Sequence, residues 1–233
     1  MELGSLIRSL SIALMAWLCA GALPVGAETP GAPAQLSPGI RALMVDVARV
    51  TRQSYADLDA VQADIDRRFA TIDRWFSLAA LATPAGNALA MNTIDAARAS
   101  IARRQVLQDA LMARLDQLYT AADLTPTERT EVRRGHQQGA ILMKQRQTEM
   151  DKATLDYNSA MRDIVLFVEA ERAAGRLKIN GSDVAFTSAA QPKFNALVDR
   201  LQSTESRVKM LDDQIRDDSA DARETVRAGT IDH

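Results

Sequence analysis

Three hydroxyl–proline pairs punctuate the chain: Ser37-Pro38, Thr83-Pro84 and Thr125-Pro126. Each reads as a helix start. The hydroxyl oxygen can accept from a free amide of the first turn, and the proline occupies the first helical position, where its missing N–H costs nothing. Glu128, three places after Thr125, completes a capping box. A fourth start is read where Ser188 and Gln191 form a box and Pro192 lies in the first turn.

Between these starts the apolar residues recur at alternating steps of three and four, the period of a helix with one buried stripe. The first segment shows Met44, Val47, Leu58, Val61, Ile65, Ile72 and Trp75, and the second Ile94, Ala97, Ile101, Leu111, Leu115 and Leu118. The third shows Val132, Met143, Met150, Tyr157, Ile164 and Val168, and the fourth Phe194, Leu197, Leu201, Val208, Leu211 and Ile215. Helices of this length run to about 45–70 Å at 1.5 Å per residue. The connections near 83 and 124 are short, which makes neighbouring helices antiparallel. Apolar residues form 47% of the 233 and aromatics 4%, enough for a core built from small and aliphatic side chains. The reading is an all-α fold: an elongated up-down four-helix bundle or coiled coil over residues 37–215, with a short β-hairpin between helices three and four.

The hairpin, residues 176–187, interrupts the helical pattern. Leu177 and Ile179 alternate with polar residues before Asn180-Gly181, and Val184 and Phe186 alternate after Ser182-Asp183. Asn-Gly is a strong hairpin signal because both residues accept positive φ. Gly175 is placed to stop the preceding helix. A two-stranded hairpin is barely stable alone in water. Its apolar residues Leu177, Ile179, Val184 and Phe186 are therefore expected to pack on an end of the bundle; an exposed tip that binds a partner is the alternative.

The first 27 residues read as a secretory signal. Arg8 precedes a mostly apolar run, Pro24 breaks it, and Val25-Gly26-Ala27 offers a cleavage site between Ala27 and Glu28. The run is short for a membrane span, so an uncleaved anchor is the lesser reading, and no second run of spanning length follows. The expected mature chain has no membrane span and is periplasmic or secreted. Residues 28–36, rich in Pro, Gly and Ala, read as a flexible lead-in. Residues 216–233 are highly charged, lose the apolar period and read as a disordered tail.

The remaining chemistry is sparse. The formal charge is −2 with acids and bases interspersed, which gives no electrostatic case for nucleic acid. The only cysteine, Cys19, falls in the signal. His136 has no second ligand at metal spacing, and no nucleophile elbow or glycine-rich phosphate loop is present. No catalytic residue, metal site or cofactor is assigned. Gly135 and Gly139 mark a close crossing or kink. Extending the apolar steps brings polar residues into the seam: Arg68, Arg104, Gln108 and Arg146, with Thr51 and Ser54. They form either a polar layer with a function or, as the simpler expectation, side chains that snorkel out to water.

Residues 163–203 resemble the C-terminal part of a family of bacterial cell-envelope lipoproteins of unknown function. In that family a helix closing on a Phe-Val pair, here Phe167-Val168, leads to a short strand and an Asn-Gly turn, here Asn180-Gly181. An apolar-x-Phe strand follows, here Val184 and Phe186, and then a helix opening Asn-x-Leu, here Asn195 and Leu197. The likeness covers about the last third of the chain. The sequence departs from the family before Cys19, where Trp17 and Leu18 replace the small residues of a lipidation signal. The resemblance implies an envelope location and a helical fold with this hairpin, and lends no activity. The expected function is a non-enzymatic envelope protein that acts as a structural or protein-interaction module, with a protein partner or self-association. A small-ligand binding or sensing bundle, with its pocket near Arg104 and Gln108, is the alternative.

Overall fold

The computed structural model describes residues 37–180 and 183–231. The expected signal with Ala27 and Glu28, the lead-in at 28–36, and Gly181 of the hairpin turn lie outside the described residues. The chain is mostly helical with one small antiparallel sheet. In order the elements are α1 (Pro38–Trp75), α2 (Leu78–Leu81), α3 (Pro84–Ala121), α4 (Pro126–Ala173), β1 (Leu177–Asn180), β2 (Asp183–Phe186) and α5 (Gln191–Ile231).

The hydroxyl–proline starts form as local chemistry dictates. Ser37 Oγ accepts from the Ile40 amide at 3.2 Å, and Thr83 Oγ1 from the Gly86 amide at 3.0 Å. At α4 the box is reciprocal: the Glu128 amide donates to Thr125 Oγ1 at 3.4 Å and the Thr125 amide to Glu128 Oε2 at 2.9 Å. The fourth start differs from expectation. The amides of Ala190 and Gln191 both donate to the Thr187 carbonyl, so a turn precedes α5. The Gln191 side chain donates to Asn195 Oδ1 at 2.9 Å instead of closing a box on Ser188.

Two further features depart from the sequence reading. The first long segment breaks at Phe76-Ser77, and a one-turn helix follows, its N-cap Ser77 accepting from the Ala80 amide at 3.2 Å. A serine there offers the backbone a cap that competes with continuing the helix. At the other end of the chain α5 continues to Ile231, past Ile215, where a disordered tail was expected. Interspersed acids and bases lack an apolar period but still suit a helical backbone. Helix α4 runs unbroken through Gly135 and Gly139.

Helix α4 stops in a Schellman motif. Gly175 takes φ +68°, its amide donates to the Arg172 carbonyl, and the Arg176 amide reaches back to the Glu171 carbonyl at 2.9 Å. The Arg176 guanidinium then grips the Glu171 carboxylate twice, at 2.7 and 2.8 Å. This bidentate pair holds the Glu171 carboxyl below the usual carboxylate range.

The described residues fall into two compact units. One comprises residues 61–103 and 149–212, the other 37–60, 104–148 and 213–231. In the first, Ile65, Phe69, Ile94, Ile101, Met161, Val165 and Val168 are buried. The Asn87 amide nitrogen donates to the Val165 carbonyl at 2.9 Å, tying the start of α3 to α4. In the second, Ile40, Leu43, Val47, Leu58, Leu111, Leu115 and Leu124 form one cluster with Tyr55, Tyr119 and Val132. Val47, Leu58, Leu111, Leu115 and Val132 in this cluster, and Ile65, Ile94, Ile101 and Val168 in the first unit, are seam positions the spacing selects. Ile40, Leu43, Tyr55, Tyr119 and Leu124 lie beside that seam, and the seam residues Met44 and Leu118 are only partly buried.

Candidate functional site

The hairpin is set between the end of α4 and the start of α5, both in the first unit. Its register pairs Leu177 with Phe186, Lys178 with Ala185, Ile179 with Val184 and Asn180 with Asp183. The two-residue connection is therefore Gly181-Ser182, with Asn180 as the last strand residue. No non-glycine residue among those described has positive φ, so Asn180 does not supply the turn conformation expected of it.

Leu177, Ile179, Val184 and Phe186 share one face of the ribbon by the alternation of strands. The Phe186 ring lies 4.6 Å from Phe194 on α5 and 5.4 Å from Phe167 on α4, and the latter two rings are 6.2 Å apart. Strand β2 also lies against the short helix α2. The three phenylalanines are only partly buried, as are Leu177 and Val184. Ile179 leaves 49% of its surface exposed and so departs from the inward set. It sits at the turn end of β1, farther along the ribbon than Leu177. Phe167 and Phe194 complete the cluster; Phe194 was read only as a seam residue, because their meeting depends on how the hairpin folds back.

The polar seam divides. Arg104 is buried at 3% exposure, and Thr51 is buried as well. Arg104 therefore does not snorkel: it continues the α3 stripe of Gln108, Leu111 and Leu115, and helix geometry carries it inward. Gln108 is half-buried, with Oε1 enclosed and unpartnered, and Thr51 Oγ1 is likewise enclosed without a partner. Arg146 is half-buried. Arg68 instead pairs along its own helix, its Nε donating to Asp64 Oδ2 at 2.7 Å while Ser100 Oγ donates to the same oxygen at 2.7 Å. The bonded Arg68 holds the Asp64 carboxyl below its ordinary range; burial opposes this, and the bonds from Ser100 and Arg67 add lesser contributions to the lowering.

Buried polar groups go beyond the seam residues: His136, read from the sequence as a lone histidine, is buried, and Asn158, not singled out there, is too. His136 is stacked on Tyr119 with ring centroids 4.0 Å apart, and its Nε2 bonds Asp116 Oδ1 at 2.8 Å. Asn158 is fully buried in the first unit, and neither amide atom has a partner. It adjoins the seam residue Tyr157, so the buried stripe of α4 is wider than a single seam and takes in Thr154 and Asn158.

Among the described residues no group of histidines, cysteines or carboxylates could hold a metal ion. No described helix is long and apolar enough to cross a membrane. No family model matches the chain, and comparisons with curated proteins and with solved structures give no match.

Proposed function

We propose that the chain is a non-enzymatic protein of the bacterial cell envelope that acts as a protein-interaction module through its hairpin. In this reading the long helices associate as an up-down four-helix bundle, and residues 1–27 direct export. The signal-like N-terminus and the resemblance of residues 163–203 to envelope lipoproteins support the location. The hairpin carries the interaction: three phenylalanines stay partly open beside Ile179, which keeps 49% of its surface exposed. Apolar residues left partly exposed on a short ribbon are a recurring form of docking surface.

A photo-crosslinking residue placed at Ile179, with a control at exposed Val45 in the other unit, tests this in intact cells. The reading predicts a discrete protein adduct from position 179 and none from 45. No adduct at 179, or the same adducts at both, would remove its support. The second reading, a small-ligand bundle, is favoured by the enclosed unpartnered oxygens of Thr51 and Gln108. It predicts a metabolite that raises the melting temperature of the wild type and not of Thr51→Val or Gln108→Leu.

A further inference from the structure

We infer that strand β1 accepts an extended acidic segment of a partner protein as a third strand. This rests on the reading of the hairpin as an interaction surface and names its partner's chemistry. The two-residue connection makes Asn180 and Asp183 a hydrogen-bonded pair. By alternation Lys178 and Ala185 form the next such pair, and the N–H and C=O groups of Leu177 and Ile179 point away from β2. Those outward groups bond to no described residue. Strand β2 has α2 against it, whereas Lys178 and Ile179 of β1 are exposed. The free edge is thus on β1, with a backbone pattern that an added strand completes.

Side chains choose the partner. Leu177 and Ile179 lie on the apolar face, so residues of the added strand beside them are apolar. Lys178 lies on the opposite face, directly across from Ala185 and diagonal to Asp183 on β2, so its side toward the open edge has no cross-strand neighbour. Arg176, on the same face, is already held by Glu171. On the edge side Lys178 favours an acidic residue directly beside it on the added strand. A second copy of β1 laid antiparallel would bring another Lys178 toward the first, which disfavours self-pairing.

The test uses the full exported chain and a short synthetic peptide alternating valine and glutamate. Binding should shift the amide resonances of Leu177 and Ile179 and weaken with salt. A peptide N-methylated at its edge-facing amides should bind about tenfold weaker or worse, the loss of one to two backbone bonds. Lys178→Glu should shift preference to a valine–lysine peptide. Equal binding by the N-methylated peptide, shifts confined to other regions, or dimerisation of the free chain through β1 would each overturn the inference. If position 179 still crosslinks a protein in cells while N-methylation has no effect, the added-strand mode fails and the interaction reading survives. If position 179 gives no adduct, both fail.

Discussion

Gly39, in the first turn of α1, lies so close to Asp123 that a Cβ at this position would stand 2.2 Å from the Asp123 carbonyl oxygen. The connection between α3 and α4 is pressed onto the start of α1, and the obstacle is backbone, which cannot swing aside. Gly39→Ala should therefore lower stability by about 1–3 kcal/mol despite the better helix propensity of alanine. Urea unfolding measures it. A variant as stable as wild type would mean that the α3–α4 connection is not seated there.

Asn158 gives the opposite sign. Its amide is fully enclosed in the first unit with neither atom bonded. Replacing a buried polar group that lacks partners by an apolar group of similar size recovers the desolvation penalty, about 1–3 kcal/mol. Asn158→Leu should raise the urea midpoint with the slope unchanged. A loss of stability would show that the amide is satisfied in solution.

Phe186 joins the hairpin to both helices. A fully buried phenylalanine costs about 3–5 kcal/mol when cut to alanine, and a half-buried one proportionally less. Phe186→Ala should lower stability by about 1–3 kcal/mol and raise amide exchange across β1 and β2. A melting temperature unchanged by this replacement would detach the hairpin from the α4 and α5 ends.

Asp64 links stability to pH. Its folded carboxyl titrates below the unfolded value, chiefly because Arg68 bonds the ionised form. The contribution is complete above the ordinary value of about 3.9 and is lost as pH falls through the lower folded value. Wild type should exceed Asp64→Asn in stability at neutral pH, and the difference should shrink below about pH 4. A difference that stays constant into acid would contradict the role given to the ion pair.

Much of the helical framework is legible in the sequence because its determinants are local. Ser37, Thr83 and Thr125 announce helices through bonds that span three residues. Gly175 likewise marks the stop of α4 at the residue itself. Ser77 belongs to the same class, but its cap lies inside a strong apolar period that masks the break. The site is less legible. The burial of Arg104 and the enclosure of Asn158 depend on which neighbours close over them, and period alone does not say how wide a stripe is covered. Asn180 is a strand residue paired with Asp183 where the sequence favours it as a turn centre, because the register depends on both strands and is not carried by the Asn-Gly pair itself.

The open edge of β1 is the point on which the added-strand inference turns, and amide hydrogen exchange of the isolated chain measures it directly. The account predicts that the Lys178 amide, inside the β1–β2 ladder, exchanges slowly, while those of Leu177 and Ile179 on either side exchange at rates near those of an unprotected backbone. Protection of Leu177 and Ile179 equal to that of Lys178 would show the edge already covered and contradict the account.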